Sequence, residues 1–378
     1  MLEVADVFRE AGPAYRKQFA ARMLPSQLKA MHDIERCRTP ALGGHLHRCD
    51  HCAHLQYSYH SCRNRHCPKC QGEHTQRWVD HQQARLLPCP YYLVTFTLPD
   101  QLRALARSQP KIVYGILMSC AAQALQKLLA DSRWLGARPG MLAVLHSWTR
   151  DMRLHPHAHF LVTAGGMTDH DQAWRRPVRR DFLVPCRALS VIFRAKVRQA
   201  LDQAKLLDRI PHKAWKRKWV THCRHAGDGE KALLYVARYI HRIAITNSRL
   251  ESVDPQQVTF RYRDGRSGQL QRCTLSAVQF ISRFLQHVLP CRFTKVRYYG
   301  LFSPACRNAL ERARSLLCQT QEPPAATSQI EDSPVDTEPA GSNHICPVCH
   351  VGRMTVVANL TPQRQPPTRL RAPPEVAA

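Results

Sequence analysis

Long apolar runs are missing from this chain. No stretch of its 378 residues holds the ~18 consecutive apolar side chains that a membrane span needs, and Met1-Leu2-Glu3-Val4-Ala5-Asp6 lacks the basic-then-apolar order of an export signal. Both absences argue against a membrane-embedded or secreted protein, and the expected location is the cytoplasm, with the nucleoid of a bacterial-type cell. Acidic residues are also scarce: 28 Asp plus Glu stand against 55 Lys plus Arg, a formal net charge of +27. So positive a chain calls for a polyanionic partner. Arg dominates the surplus, and its planar fork matches phosphate, so nucleic acid is favoured over a lipid surface. There is no internal repeat, and the length allows two or three domains around at least one sizeable core.

What the chain does have is histidine in a telling pattern. In Leu154-His155-Pro156-His157-Ala158-His159-Phe160-Leu161-Val162 a strand would turn His155, His157 and His159 to one face and Ala158, Phe160 and Val162 to the other. Three neutral imidazoles on one rigid strand make a metal site, against the plainer alternative of a surface histidine cluster. Met141 to Thr149 reads as a partner strand, joined through Arg150-Asp151 as a hairpin. That pairing sets His146 beside His157 and His159, as a further ligand or as a core histidine.

Cysteine is plentiful, with sixteen, and three Cys-x-x-Cys pairs stand out: Cys49/Cys52, Cys67/Cys70 and Cys346/Cys349. In a reducing compartment such pairs hold zinc more often than they form disulfides. The first two are spaced as the knuckles of a four-cysteine zinc ribbon, with Cys62 and His66 as alternatives for one ligand. Zn²⁺ would be structural there, since so short a stretch cannot fold without it. Arg63, Arg65 and Lys69 beside Tyr57 and Tyr59 form either a basic, aromatic surface for bases and phosphates or ordinary solvated charge. The third pair is half a site, whose partner ligands the sequence leaves open.

Helical spacing marks residues 1–36, 75–87, 110–130 and 189–207, and Tyr91 to Leu98 reads as a buried strand. Trp215 and Trp219 among basic residues suit unpaired bases or the core equally. The run 233–240 lacks helix breakers and sets Tyr235 and Tyr239 four residues apart, so that two phenols project from one helical face. Beside a metal and a positive field, phenols can act as nucleophiles toward phosphate. Short β-like runs fill 242–275 around a hairpin turn at 264–268. A helix at 276–288, a strand at 293–301 and a helix at 303–317 follow. Residues 319–343 are rich in Pro, Glu, Thr and Ser and read as a disordered linker.

Three motifs, Cys-Arg-Asn-Arg-His-Cys-Pro-Lys-Cys (62–70), Leu-His-Pro-His-Ala-His (154–159) with Gly165-Gly166, and Tyr-Val-Ala-Arg-Tyr-Ile-His-Arg (235–242), resemble those of the insertion-sequence-91 transposases. These are two-tyrosine members of the HUH endonucleases, and the resemblance runs from about residue 20 to 317. It implies an α+β fold, an antiparallel HUH-endonuclease sheet with flanking helices; with the residue-level readings this follows a small helical and zinc-ribbon domain and precedes a disordered tail that lies outside the resemblance. The domains expected are 1–88 (helical, four-cysteine), 89–318 (catalytic) and 319–378 (linker and tail). The resemblance further implies rolling-circle transposition, with nicking and joining of single-stranded DNA at element ends through a 5′-phosphotyrosine. Tyr235 and Tyr239 match the nucleophiles and His157 and His159 the motif histidines, with His155 as the candidate third ligand for Mg²⁺ or Mn²⁺. Arg238 joins Arg63, Arg65 and Lys69 as a DNA contact. A plasmid relaxase or replication initiator of the same superfamily, and a zinc-dependent DNA-binding protein without catalysis, are the competing readings.

Overall fold

A computed structural model describes residues 2–70, 72–168, 172–179, 181–240, 243–265, 267–319 and 345–363, with the backbone alone at 72–75, 238 and 239. Its centre is an antiparallel sheet in the order Val296–Gly300, Arg138–Trp148, Leu154–Met167, Tyr91–Thr97, Val220–His225, with the short Trp174–Arg175 beside the third. The strands at 91–97, 138–148 and 154–167 are almost wholly buried, because both faces of the sheet are covered.

Residue parity decides which layer each side chain meets. Tyr92, Val94, Phe96, Ala158, Phe160 and Val162 pack toward the helices Pro110–Leu129 and Cys186–Gln203. Leu93, Leu142, Val144 and Leu161 pack on the opposite face, against Leu233, Val236 and Ile240 of the helix Glu230–Ile240 and Ala309, Ala313 and Leu317 of Arg307–Gln319. His157 and His159 share parity with Leu161, so they open on the layer that holds the tyrosine helix. Among the described residues one helix, Pro110–Leu129, is long and apolar enough to cross a membrane by length and composition. Its Val113, Leu117, Ala121, Leu125 and Leu128 are buried in the first of these layers.

A second core joins the two ends of the chain. The helices Val4–Phe19 and Pro25–Arg36 pack on a three-stranded sheet (Leu250–Val253, Gln257–Arg263, Leu270–Ser276) and the helix Ala277–Leu285. Phe8 meets Phe284 edge-on at 5.1 Å, and Gln27 donates to the Leu285 carbonyl at 2.9 Å. The boundary expected at residue 88 therefore does not separate two cores: the helical lead-in buries its apolar stripe against residues 243–288.

The end of the chain also departs from expectation. Met354–Leu360 is a strand paired antiparallel with Gly44–Cys49, which in turn pairs with Leu55–Tyr59. The expected disordered tail thus contains a folded piece, because a strand edge beside residues 44–49 takes up its backbone hydrogen bonds. Of the expected linker at 319–343, Gln319 closes the helix Arg307–Gln319 and the remainder lies outside the described residues.

Candidate active site and cysteine clusters

The histidine patch forms because the hairpin register sets His157 directly across from His146 on one side and Thr97 on the other. Ligand nitrogens of His146, His157 and His159 lie within 4.8 Å of one another. The His157 Nδ1 lies 2.7 Å from the carbonyl oxygen of His155, so that nitrogen carries the proton and donates. Its Nε2 is then a lone pair, 2.6 Å from His146 Nδ1. His159 Nδ1 is 3.0 Å from Thr95 Oγ1, a hydroxyl able to accept its proton and leave Nε2 as the donor atom. Fixing one ring nitrogen with a carbonyl or hydroxyl so that the other can ligate is the usual support of metal-bound histidine.

Burial keeps all three rings neutral. It drives the His157 pKa down to about 3 and His159 to about 4, and pushes His146 well below the ordinary range; neighbouring histidines add to the effect at His146 and His157, and the Arg224 charge at His159. Desolvation penalises the imidazolium, and a neutral imidazole is the ligand form. The residues thus fit a divalent cation. The expected third ligand, His155, is not brought into this group: its carbonyl holds His157, while its own ring stands at the strand end under the charges of Arg103 and Arg153.

Tyr235 reaches the patch from the helix that covers this face of the sheet, its ring centroid 5.7 Å from His159 and edge-on to it. The helix that carries it begins at a forced turn. Gly229 has φ +87°, and a Cβ there would come within 2.5 Å of the Tyr91 ring. With Leu233, Val236 and Ile240 buried, Tyr235 is left half-buried at the cleft. Tyr239 follows one turn later along the helix backbone; its side chain and that of Arg238 lie outside the described residues. The cleft, about 660 Å³, is lined by the histidines, Tyr235, Trp148, Arg150, Arg153 and Arg249. Arg224, on the edge strand, lies over the Tyr235 ring at 5.8 Å.

The cysteines expected to share one ion do not meet. Two separate four-sulfur groups form instead, Cys37, Cys62, Cys67 and Cys70, and Cys49, Cys52, Cys346 and Cys349. The hairpin 44–59 causes the split. Its two strands carry Cys49 and Cys52 to the turn end, while Cys37 and Cys62 flank the open end, where the 67–70 knuckle docks. In the first group Cys70 Sγ is 3.4 Å from Cys37 Sγ and 3.6 Å from Cys62 Sγ. His66 is no ligand in it; its Nε2 accepts from the Leu289 backbone at 3.1 Å.

Two family models match the chain, "Transposase zinc-binding domain" over residues 7–98 and "Putative transposase" over residues 140–309. "Putative transposase y4qJ" of Sinorhizobium fredii (strain NBRC 101917 / NGR234) is 37% identical over 378 residues, covering 94% of each chain. The chain belongs to the insertion-sequence-91 family of transposases. The "Transposase for insertion sequence element IS801" of Pseudomonas savastanoi pv. phaseolicola is 28% identical over 285 residues, 71% of this chain and 68% of that one. No solved structure matches.

In this transposase the clustered histidines with Tyr235, and the first cysteine group, each fall inside one matched region. The expected DNA contacts do not all remain open. Arg65 donates to the carbonyls of Phe293 at 2.7 Å and Pro290 at 3.2 Å, and Lys69 pairs with Glu3 at 2.5 Å. Both brace the knuckle, which is wedged between the lead-in helices and the residues after 288. Arg63 and Arg65 both stay exposed, so Arg65 keeps a solvent-facing side while two of its N–H groups are spent on the fold. Arg224 was not visible as a site residue, since the strand 220–225 is exposed and polar and shows no apolar alternation. Trp215 and Trp219 stack on each other at 5.5 Å, and Trp219 is buried beside Phe193, which is the core reading of that pair.

Proposed function

We propose that this transposase nicks and rejoins single-stranded DNA at the ends of its element, with Tyr235 as a nucleophile and a divalent cation held by His146, His157 and His159. The observation that carries the reading is the meeting of three neutral imidazoles and a phenol in one arginine-rimmed cleft. Bound Mg²⁺ or Mn²⁺ would polarise the scissile phosphate and offset charge on its oxygens. Tyr235, having given its phenolic proton to solvent, attacks phosphorus through its oxygen. The bond from phosphorus to the 3′ oxygen breaks, that oxygen takes up a proton, and a 5′-phosphotyrosine remains. The phosphodiester energy is kept in the covalent link, and the free 3′-hydroxyl can prime replication, as rolling-circle transposition requires. Arg224, 5.8 Å over the ring, adds positive charge to the surroundings of the phenol. Tyr239, one helical turn on, is proposed as the second nucleophile, and Arg238 and Arg63 as DNA contacts. Zn²⁺ in the cysteine group 37, 62, 67 and 70 holds the knuckle.

The test is a labelled single-stranded oligonucleotide from an element end, incubated with purified protein and Mn²⁺. We expect a covalent adduct that is lost in Tyr235→Phe/Tyr239→Phe and in His157→Ala, while both variants still bind the strand. Binding without any adduct in the unaltered protein would favour the zinc-dependent DNA-binding reading. Replication primed from plasmid origins, in place of movement of an element, would favour the initiator reading.

A further inference from the structure

The second cysteine group lies partly outside the matched zinc-binding region. Cys49 and Cys52 sit at the turn of the hairpin, whereas Cys346 and Cys349 come some 300 positions later. Cys49 Sγ is 3.7 Å from Cys349 Sγ, Cys52 Sγ is 3.6 Å from Cys346 Sγ, and all four sulfurs fall within 4.8 Å of one another. Tetrahedral coordination at a Zn–S distance of ~2.3 Å places neighbouring sulfurs about 3.8 Å apart. All four are free thiols.

The backbone is built to receive thiolates. Cys49 Sγ accepts from the amides of His51 and Cys52, Cys346 Sγ from Val348, and Cys349 Sγ from Gly352, each at 3.4 Å. Two tight turns thus point their N–H groups at sulfur and fix where the sulfurs stand. The turns are also stitched together. Asp50 accepts from the Arg353 amide at 2.8 Å, and its own amide donates to the Arg353 carbonyl at 3.1 Å. A Cβ on Gly352 would stand 2.6 Å from Cys49 Sγ, so the second turn approaches the first as closely as only glycine allows.

We propose that Cys49, Cys52, Cys346 and Cys349 bind a second zinc ion, which fastens residues 345–363 onto the N-terminal hairpin. Four thiols release their protons to solvent as the ion binds. The chain is thereby closed: everything between residues 53 and 345, the whole catalytic region included, is looped out between the two halves of one metal site. The strand Met354–Leu360 then completes the sheet that runs from one zinc site to the other.

The experiment is metal analysis of the full-length protein. We expect two zinc ions per chain, and one in each of Cys346→Ser/Cys349→Ser and Cys49→Ser/Cys52→Ser. The decisive variant carries all four substitutions: because both pairs serve one ion, it should still hold one zinc. One zinc in the unaltered protein, iron in place of the second zinc, or loss of both ions only when the two pairs are combined would overturn the proposal. Hydrogen exchange gives a reading independent of metal count. In Cys49→Ser/Cys52→Ser the amides of 354–360 should exchange at least tenfold faster, and unchanged protection there would refute the fastening. Neither reading depends on whether Tyr235 acts as a nucleophile.

Discussion

At the scale of single residues, the third imidazole is the point on which alternation along one strand misleads. Period-two spacing groups His155 with His157 and His159, and it finds the latter two because parity survives in the middle of a strand. The third position is supplied from across the ladder, where His146 stands directly opposite His157. The hairpin read from the sequence already set His146 beside His157, as a further ligand or a core histidine; the turn at 149–153, with Met152 at φ 64°, fixes that register. We expect His146→Ala to weaken Mn²⁺ binding at least tenfold by calorimetry and His155→Ala to leave it nearly unchanged. Thr95→Val, which removes only the support of His159, should cost between those limits. The reverse ranking would restore His155 as the ligand. A further buried histidine has a structural role: His287 Nε2 lies 3.1 Å from the Met152 carbonyl and Nδ1 lies 3.3 Å from Ser147 Oγ. Burial lowers its pKa from 6.5 to about 4. The unfolded chain therefore binds a proton that the folded chain refuses between those values. The stability from keeping His287 neutral is complete above pH 6.5 and is lost as pH falls toward 4. Chemical denaturation at pH 7.5 and pH 5 should show that loss, and His287→Gln should show a smaller difference between the two pH values.

At the scale of elements, the tyrosine helix was legible because its apolar residues recur at helical spacing, and the hairpin 44–59 was not, because His45, His47, Arg48 and Gln56 leave neither strand an apolar face. The same reason hid the strand 220–225 and with it Arg224. What the sequence does not disclose about the tyrosine helix is how it is aimed. Its first turn is set by Gly229, held in left-handed backbone and pressed on the ring of Tyr91, whose hydroxyl accepts from the Leu87 amide at 2.7 Å. A side chain at 229 must both adopt strained dihedrals and displace that ring, a cost of about 1–3 kcal/mol. Gly229→Ala should therefore lower the melting temperature by a few degrees and reduce adduct formation much more than strand binding, because the helix entry moves and Tyr235 with it. Equal losses of binding and adduct would mean that the turn serves the fold alone.

At the scale of the whole molecule, the sequence shows Cys-x-x-Cys pairs but not which pairs share an ion, since spacing constrains neighbours in the chain and not partners across it. The same limit hid the second core, where residues 4–36 meet 243–288. Net charge is a whole-molecule property too, and it predicts a strong salt dependence without saying which cations touch phosphate. For a single strand, the logarithm of affinity falls with the logarithm of salt at a slope of about −0.7 per phosphate neutralised. Arg224 and Arg65 are both exposed, but Arg224 lies beside Tyr235 whereas Arg65 places two of its donors on the Pro290 and Phe293 carbonyls. Arg224→Gln should make the slope shallower by about 0.7 and weaken binding at low salt while leaving the melting temperature in place. Arg65→Gln should do the converse, lowering stability with the slope unchanged. Were Arg65→Gln to flatten the slope at unaltered stability, the knuckle would be a DNA surface in its own right, and the strand would have to run from the cleft across the first cysteine group.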